Sequence, residues 1–497
     1  MDLSWNSKRV YFLLLLILLL GTFLRLYQLG EKSLWTDELV VMENAASIVD
    51  VKSFLTHTLD DDLPRFYSLI FKFWMHFGKS EFTMRVLSVI FGCLSILVVY
   101  ALSRLFFDTK TSLSAAFLTA ISPFLLLYDR EIRMYSLFAL FSLLSTYLFI
   151  RSLRENNKTL WGLYALVNVL NIYTHYYAFL VLGVQWLFVM VRFRDYKRML
   201  TPWIAVNGII ALTFAIRLPA FIQDVVYFAP WAIPRERFPF VFGKHVVEFF
   251  YILFSFSAGQ TILPWNPVAV LVCLAVLVCF IFSVKKGFPF SVDALYLVLL
   301  IFIPMVIGIV FRISMPRYFI FAAPVFFILI ARGFWLLPKK MMVATALIII
   351  TGWSYGIANY YQDKQFHIMA HVDPWRKVGR FLEGNVTEDA QIVVIGIGVV
   401  PLRHYYRDSL SGFSGEDLIA RVRKLDEAGT GKIWLVYTYH EEYENWLKAR
   451  DILNENYRLS MEKTWVDDPD FALKKKLFRR NFAPYRIATA LYERENK

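Results

Sequence analysis

Long apolar segments make up most of the first 360 residues of the chain. A segment of about 20 apolar residues is long enough to cross the hydrocarbon core of a bilayer. By this criterion we expect about 11 spans, and roughly 13 at most. They lie at roughly residues 10–29, 82–102, 112–127, 134–150, 160–173, 178–191, 202–216, 267–284, 291–313, 318–337 and 341–360. The pattern predicts an α-helical polytopic membrane protein.

Two polar gaps between these segments are too long to be simple turns. The first runs from about residue 30 to 81 and the second from about residue 217 to 265. Each contains an aromatic, amphipathic stretch, PRFYSLIFKFWMHF in the first and VVEFFYILFSFS in the second. Such stretches are typical of helices that lie in the plane of the membrane interface, and Pro64 suits the first turn of the first one. We therefore interpret both gaps as long loops.

Basic residues indicate which ends of the spans are cytoplasmic, because Lys and Arg collect in cytoplasmic loops. All the basic loops fall on one face if VVEFFYILFSFS does not cross the membrane. These loops contain Lys8, Arg9, Arg104, Lys110, Arg151, Arg154, Lys158, Arg192, Arg194, Lys197, Arg198, Lys285, Lys286, Lys339 and Lys340. We therefore expect an odd number of spans, with both long loops and the C-terminal region outside. The protein is predicted to be a multi-pass protein of the inner (plasma) membrane.

The first apolar segment also looks like a secretory signal, because Lys8 and Arg9 precede it. No cleavage site of small residues follows it, as a signal peptide would require. We expect it to be retained as the first span.

The hydropathy pattern changes after about residue 360. Helical patterns in WRKVGRFLEG and EDLIARVRKLDEAG alternate with the strand-like segments QIVVIGIGVV, KIWLVYTY and ATALYERE. Alternation of this kind predicts a small α/β domain. We therefore divide the chain into a transmembrane domain at residues 1–360 and an extracytoplasmic α/β domain at residues 361–497.

Composition narrows the class further. The chain is 58% hydrophobic, 18% aromatic and 19% charged, with a net charge of +13, whereas soluble domains are about a quarter charged. In a membrane protein such a basic excess orients loops and contacts anionic lipid. No basic patch with interleaved aromatic residues is present, so a nucleic-acid partner is excluded. The three cysteines lie within apolar segments, which excludes a disulfide framework and a thiolate zinc site.

Ionisable residues collect at the predicted outer ends of the spans and not at their centres. Asp37 and Glu38 follow Trp35 just beyond the first span, and Asp129 and Glu131 occupy a short outer loop. Arginines and a histidine share this level, namely Arg25, Arg65, Arg85, Arg130, Arg133, His175, Arg217 and Arg317. This distribution predicts a site at the outer membrane interface, because transport pathways place ionisable groups inside the spans.

These residue types suit a lipid-linked sugar phosphate. Guanidinium groups bind phosphate through paired donors. A carboxylate at the interface can take the proton of an attacking acceptor hydroxyl, and the arginines can stabilise the lipid phosphate as it leaves. No nucleotide is needed for this reaction.

Six motifs in order, SLWTDE, DDLPRFYSLI, SEFTMRVLSVIFG, YDREIRMYSL, YTHYYAF and PRYFIFAAP, resemble the bacterial branch of the protein O-mannosyltransferase-like glycosyltransferases. This group, glycosyltransferase family 39, has the GT-C fold, which it shares with the lipid A aminoarabinose transferase. The resemblance covers roughly residues 1–360. It implies that Asp37 is the base, with Glu38 beside it, that Asp129 is the acid of the second outer loop, and that transfer inverts the sugar. The substrate-binding residues that it implies are Arg133, Tyr135, His175, Tyr176, Arg317 and Tyr318.

Arg65 is also a candidate substrate-binding residue, although the chain departs from the family pattern there. Relatives often have Pro-Pro where this chain has Pro64-Arg65. No role is therefore assigned to Arg65 by analogy. Its position in the first loop suits a contact with acceptor or phosphate.

Each candidate residue also has a plainer interpretation. Asp37 would cap the helix that follows it, and Asp129 and Glu131 would form a surface ion-pair cluster with their arginine neighbours. His175 would be an interfacial polar residue without a ligand. Arg317 would be an anchor that snorkels to the interface, and Trp35 would be an interface anchor.

The resulting prediction is a hexosyl or pentosyl transferase of the extracytoplasmic membrane face. It would use a polyprenyl-phosphate-linked sugar in the membrane lipid and a glycan, lipid or protein acceptor. A transporter or flippase for such a lipid and an oligosaccharyl-type transferase are the alternatives. Transporters often show internal repeats, which are absent from the sequence, and the C-terminal region has no WWDYG-like motif. No cofactor is required, although a divalent metal ion held by Asp37, Glu38 and Asp129 stays open.

Overall fold

The computed structural model describes residues 7–56, 64–223, 242–285, 292–311, 314–367, 369–407, 409–438, 443–467 and 486–495. The chain separates into two compact units. The first comprises Met1–Gly30 and Val41–His367, and the second comprises Glu31–Val40 and Ile368–Lys497. The sequence-based division at residue 360 had assigned residues 31–40 to the first domain. The first three residues of the DDLPRFYSLI motif lie outside the described residues.

The first unit is helical. Its helices are α1 (Ser7–Leu26), α2 (Thr36–Ser47, which begins in the second unit), α3 (Val51–Thr56), α4 (Phe66–Trp74), α5 (Glu81–Arg104), α6 (Thr109–Ile121), α7 (Pro123–Tyr128), α8 (Tyr135–Glu155), α9 (Lys158–Ile172), α10 (Ala178–Val191), α11 (Phe193–Tyr196), α12 (Leu200–Ala215), α13 (Leu218–Gln223), α14 (Phe242–Ala258), α15 (Pro267–Lys285), α16 (Val292–Val310), α17 (Ala322–Trp335) and α18 (Lys339–Tyr361). Short 3-10 helices cover Met75–Phe77, Lys197–Met199 and Pro316–Phe319.

Within the described residues, six helical segments are long and apolar enough to cross a membrane, and four shorter apolar helices accompany them. The long segments are Ser7–Leu26, Glu81–Arg104, Tyr135–Glu155, Phe193–Ala215, Pro267–Lys285 and Lys339–Tyr361. The predicted class, a polytopic helical membrane protein, is confirmed. The count of about 11 spans stays a prediction, as does the orientation. The predicted non-crossing stretch VVEFFYILFSFS forms the greater part of α14.

Side-chain caps set several helix starts, because the first N–H groups of a helix lack partners within it. Ser80 accepts the Thr83 N–H at α5, and Asp108 accepts the Thr111 N–H at α6. Ser122, with extended backbone, accepts the Leu125 N–H and is followed by Pro123. The predicted single span at 112–127 is therefore wrong in detail: the chain ends α6 before Ser122 and restarts as α7, which leads directly to Asp129.

Two other predicted elements differ at their ends. The amphipathic helix of the first long loop begins at Phe66, with Arg65 as its N-cap residue, so Pro64 lies before the helix and not in its first turn. The predicted span at 318–337 begins within the 3-10 turn Pro316–Phe319, and the helix itself starts at Ala322. This turn carries Arg317 and Tyr318.

The second unit is an α/β layer structure. Its helices are α19 (Trp375–Asn385), α20 (Val399–Tyr405), α21 (Gly415–Glu427) and α22 (Tyr443–Asn456), with 3-10 turns at Met369–Val372 and Gly396–Gly398. Its strands are β1 (Ala390–Ile395), β2 (Gly412–Phe413), β3 (Lys432–Thr438), β4 (Tyr457–Asp467) and β5 (Arg486–Arg494). The sheet order is β2-β1-β3-β5-β4, with β1 parallel to β2 and β3, and β5 antiparallel to β3 and β4.

Successive side chains along each strand point to opposite faces of this sheet, and helices cover both faces. One face packs on α21 and α22 through residues such as Val393, Leu418 and Trp446. The other packs on α19 and α20 through Val394, Trp375 and Leu402. The predicted strand QIVVIGIGVV is wrong beyond Ile395, where the chain turns into α20. The sequence interpretation also missed β4, because its residues are mostly exposed and its polar pattern resembles a loop.

Candidate functional site

Asp129 forms a buried ion pair with Arg25. The Arg25 Nη2 atom lies 2.7 Å from Asp129 Oδ2, and Nε donates to the same oxygen at 2.8 Å. Arg25 also donates to the carbonyls of Gly21, Thr119 and Ala120. These bonds use backbone acceptors on α1 and α6, so the guanidinium connects the C-terminal ends of the two helices to the loop after α7.

The surroundings of this pair are tightly closed. A Cβ atom at Gly92 of α5 would lie within 2.4 Å of the Asp129 carboxylate, so only glycine lets α5 approach it. Burial raises the pKa of Asp129, and the charge and hydrogen bond of Arg25 oppose that rise. The ion pair gives Asp129 a structural role. The catalytic role that the sequence suggested for it stays a prediction.

Arg133 and Arg317 converge on one aromatic ring. Their guanidinium carbons lie 5.6 Å and 5.7 Å from the centre of the Tyr135 ring, and Arg317 lies 5.7 Å from the Tyr318 ring as well. Arg133 is in the loop before α8, whereas Arg317 is in the 3-10 turn before α17. The fold therefore brings together residues far apart in sequence, as the motif resemblance implied. Cation–ring contacts of this length are attractive.

His175 lies in the same cluster. Its ring stacks on Phe138 at 4.6 Å and lies 5.7 Å from the Tyr318 ring and 6.2 Å from the Tyr135 ring. Burial, together with the positive charges of Arg133 and Arg317, lowers its pKa to about 3. His175 is therefore a neutral imidazole at physiological pH.

The hydrogen bond of His175 fixes its tautomer. Nδ1 accepts the backbone N–H of Tyr177 at 3.1 Å, so the proton of the neutral ring is on Nε2. That Nε2 atom is buried and has no hydrogen-bond partner among the described residues. A buried donor without a partner costs free energy. It is therefore a ready donor for a ligand atom between the two arginines.

Two further polar residues border the cluster. Tyr128 donates its hydroxyl proton to Gln260 Oε1 at 2.6 Å, and the Tyr128 and Tyr135 rings meet edge to face at 5.5 Å. Burial raises the pKa of Tyr128, and the charges of Arg317 and Glu131 act on it in opposite directions. The arginine and the carboxylate are thus both near this phenol. With two guanidinium groups and one carboxylate, the cluster is net cationic and suits an anionic ligand.

Arg65 and Tyr176 lie in other surroundings. Arg65 donates to the carbonyl of Ser53 at 2.9 Å and to Oδ1 of Asn44 at 2.8 Å, and its N–H groups also reach Ser47. These acceptors belong to the first long loop, so Arg65 braces α2 and α3. Tyr176 packs on Phe221 at 4.9 Å. Contacts of either residue with substrate stay predictions.

The acidic pair begins α2 and belongs to the second unit. Glu38 is fully buried, and its Oε2 atom accepts the backbone N–H of Trp35 at 3.4 Å. Glu38 is the third residue of α2 and bonds back to Trp35, the residue just before the helix, as in a capping box. The sequence suggested Asp37 as the cap, but Glu38 makes this bond. Asp37 is only half-buried.

The segment before this pair is anchored within the second unit. The Arg376 N–H donates to Ser33 Oγ at 3.1 Å, and the Leu34 N–H donates to the Tyr405 hydroxyl at 2.7 Å. The Trp35 ring lies 4.8 Å from the His371 ring. Sequence reasoning missed Ser33, Tyr405 and His371. No local signal could have found them, because the partners are separated by more than 300 residues.

No group of three His, Cys, Asp or Glu side chains in the described part of the chain is arranged to hold a metal ion. The divalent ion at Asp37, Glu38 and Asp129 stays a prediction.

Comparisons with known proteins agree with this architecture. Residues 62–222 match the family model of dolichyl-phosphate-mannose-protein mannosyltransferases. This stretch includes Asp129, Arg133 and His175, and it excludes Asp37 and Arg317. No curated protein matches the chain significantly.

Among the solved structures with the same fold are proteins from two organisms. ArnT from Cupriavidus metallidurans matches in the apo state with a TM-score of 0.60 at 13% identity, over 96% of this chain and 97% of that one. ArnT bound to undecaprenyl phosphate matches with a TM-score of 0.56 at 13% identity, over 98% of each chain. The oligosaccharyltransferase AglB from Archaeoglobus fulgidus, in complex with an inhibitory peptide and a dolichol-phosphate, matches with a TM-score of 0.57 at 11% identity, over 99% of this chain and 89% of that one.

The resemblance seen in the sequence is confirmed: residues 62–222 match the family model of dolichyl-phosphate-mannose-protein mannosyltransferases, and the chain has the GT-C fold seen in ArnT and AglB.

Proposed function

We propose that this protein transfers one sugar, a hexose or a pentose, from a polyprenyl-phosphate-linked donor to an acceptor hydroxyl. The acceptor is a glycan, a lipid or a protein, and the reaction takes place at the extracytoplasmic face of the inner (plasma) membrane. The observation that carries this proposal is the cluster around Tyr135. There Arg133, Arg317 and the Nε2–H group of neutral His175 come together among buried aromatic rings.

The cluster suits the phosphate of the donor better than other ligands. Two guanidinium groups bind a phosphodiester through charge-assisted hydrogen bonds. His175 adds a donor that does not titrate near neutral pH. A neutral sugar alone would not need two cations. Tyr135 and Tyr318 offer aromatic faces for the sugar.

The reaction balances without a further reagent. The acceptor oxygen bonds to the anomeric carbon as the bond from that carbon to the phosphate oxygen breaks, with inversion. The acceptor proton passes to the Asp37 carboxylate, and polyprenyl phosphate leaves with one more negative charge. Arg133 and Arg317 stabilise that charge as it develops. Catalysis therefore requires residues 31–40 to place the Asp37 carboxylate next to the bound donor. Glu38 stabilises the start of α2, where Asp37 lies.

The aromatic rings of the cluster would exclude water from the reacting sugar. Water would hydrolyse the donor, so the anomeric carbon must be shielded from it. The rings of Phe138, Tyr135 and Tyr318 surround His175. They also strengthen the electrostatic interactions by excluding solvent.

The test is a set of binding and transfer measurements on the purified full chain in lipid nanodiscs. We expect polyprenyl phosphate to bind and a polyprenyl-phosphate sugar to release polyprenyl phosphate when acceptor is added, with no competition from nucleotide sugars. Preference for a pyrophosphate-linked glycan would instead indicate an oligosaccharyl-type transferase. Movement of the intact donor from one leaflet of a vesicle membrane to the other, without release of polyprenyl phosphate, would indicate a flippase. Either result would overturn the proposal.

A further inference from the structure

Three consecutive residues attach the acidic segment to the C-terminal part of the chain. Ser33 Oγ accepts the N–H of Arg376, the second residue of α19, at 3.1 Å. The N-cap residue of α19, Pro374, makes no side-chain cap bond, and Ser33 supplies an acceptor at the start of this helix. Trp35 packs on His371, and both rings are buried.

The middle residue has the strongest anchor. Leu34 is fully buried, and its backbone N–H donates to the Tyr405 hydroxyl at 2.7 Å. Tyr405 is the last residue of α20. A Cβ atom at Gly379 of α19 would lie 2.5 Å from the Tyr405 carbonyl oxygen, so the two helices are in close contact there. Two packed helices therefore fix the position of the hydroxyl that holds Leu34.

Anchoring at residues 33–35 also fixes the start of α2. The carbonyl of Trp35 accepts the N–H groups of Glu38 and Leu39, and Glu38 accepts the Trp35 N–H. Asp37 lies between these bonded residues, in the first turn of the helix. Its backbone therefore has little freedom once Leu34 and Trp35 are held.

We propose that the C-terminal unit positions the catalytic carboxylate, with Tyr405 as the positioning residue and Ser33 and His371 as its supports. This inference rests on the proposed function for the role of Asp37. It gives the domain at residues 368–497 a direct part in transfer, because its helices α19 and α20 hold the segment that carries the base. Donor binding, by contrast, depends on residues of the first unit. Changes at Tyr405 should therefore lower turnover and leave donor binding intact.

The test is Tyr405→Phe in the full chain, with two readouts. In hydrogen-exchange mass spectrometry, the amides of residues 34–38 should exchange about tenfold faster, because the buried Leu34 N–H loses its acceptor. In the transfer assay, kcat should fall by roughly tenfold, while the KM for donor and the melting temperature stay within error. Ser33→Ala should change both readouts in the same direction.

Tyr406→Phe is the matched control, because the hydroxyl of Tyr406 has no hydrogen-bond partner in the described part of the chain. It should leave exchange and kcat at wild-type values. Unchanged exchange at residues 34–38 in Tyr405→Phe would overturn the inference, and so would faster exchange with unchanged kcat. The exchange readout does not depend on catalysis. If Asp37→Asn kept full activity, the proposed role of Asp37 would fail, while the exchange result would still report on the anchor.

Discussion

The helical unit contains two arginine sites that differ in what surrounds the guanidinium groups. Arg25 is bonded on every side, to Asp129 and to three backbone carbonyls. Arg133 and Arg317 lie instead over the Tyr135 ring, beside a histidine whose Nε2–H group has no partner among the described residues. Both sites are at the ends of helices, and both appeared as candidates in the sequence.

The hydrogen bonds around the two sites suggest a structural role for one and a ligand-binding role for the other. A guanidinium whose donors all have protein acceptors holds helices together, and removing its partner leaves a buried charge uncompensated. The Nε2–H group of His175, which has no partner among the described residues, offers a hydrogen bond to an anionic ligand beside two cationic side chains. We therefore assign Arg25 and Asp129 to the scaffold and propose Arg133, Arg317 and His175 for the donor.

The largest expected effect is on the scaffold pair. Asp129→Ala should lower the free energy of unfolding by about 3–5 kcal/mol, because Arg25 would be left charged and buried. Denaturant unfolding in detergent measures this. The control is Asp108→Ala, which removes only the N-cap of α6 and should cost about 1 kcal/mol.

The opposite pattern would break the comparison. If Asp129→Ala unfolded like the wild type and lost turnover, then Asp129 would be catalytic, as the sequence motifs suggested. Replacing both partners, Arg25→Met with Asp129→Leu, should restore much of the stability, since no charge is then left buried.

A smaller effect is expected at the cluster around Tyr135. There the substitutions should change the free energy of donor binding and not the free energy of unfolding. Arg133→Ala and Arg317→Ala should each weaken donor binding by about 1.5–3 kcal/mol, the range for hydrogen bonds to charged groups. Donor KM and polyprenyl phosphate affinity in nanodiscs are the measurements. Arg130→Ala is the matched control from the same loop, because its guanidinium lies over Tyr360 and Tyr361 and donates to the Leu24 carbonyl. Unchanged donor affinity in both test variants would remove the phosphate role.

The sequence located these sites only in part. The family resemblance implied a substrate-binding role for Arg133, Tyr135, His175 and Arg317. The structure brings these residues together, and their role stays a prediction. The Arg25–Asp129 pair was missed, because its partners are separated by 104 residues. One signal was available: an arginine in the last turn of an apolar helix is costly without a partner.

The smallest effect concerns His175 and pH. Its pKa is 6.5 in an unfolded chain and about 3 in the folded protein. Below pH 6.5 the unfolded chain therefore binds a proton that the folded protein does not. The free energy of unfolding therefore keeps the full contribution of neutral His175 above pH 6.5. It falls as the pH is lowered from 6.5 toward 3, by at most about 1.4 kcal/mol per pH unit.

His175→Gln should reduce this slope, because glutamine does not titrate. Unfolding free energies at pH 7.5 and 5.5, compared between variant and wild type, measure the difference. His76→Gln is the control, since His76 is exposed. Equal slopes in His175→Gln and the wild type would show that His175 is not the buried neutral group that the site requires.

The fold was predictable where one local pattern decides it. Apolar length located α1, α5, α8 and the other long helices to within a few residues. Apolar length failed to predict the break at Ser122–Pro123, where a cap and a proline interrupt an apolar segment. The strand pattern failed at β4, most of whose residues are exposed. The membership of residues 31–40 in the second unit could not be predicted, because it depends on hydrogen bonds to Arg376 and Tyr405.

The most direct test of the central claim is the steady-state kinetics of Asp37→Asn with a polyprenyl-phosphate sugar donor. Asparagine keeps the shape of the side chain but cannot accept the proton, so kcat should fall by about 100- to 10,000-fold, with donor KM within a factor of about three of the wild type. Normal turnover by the folded variant would contradict the assignment of Asp37 as the base, and with it the account of how a lipid-borne sugar is transferred.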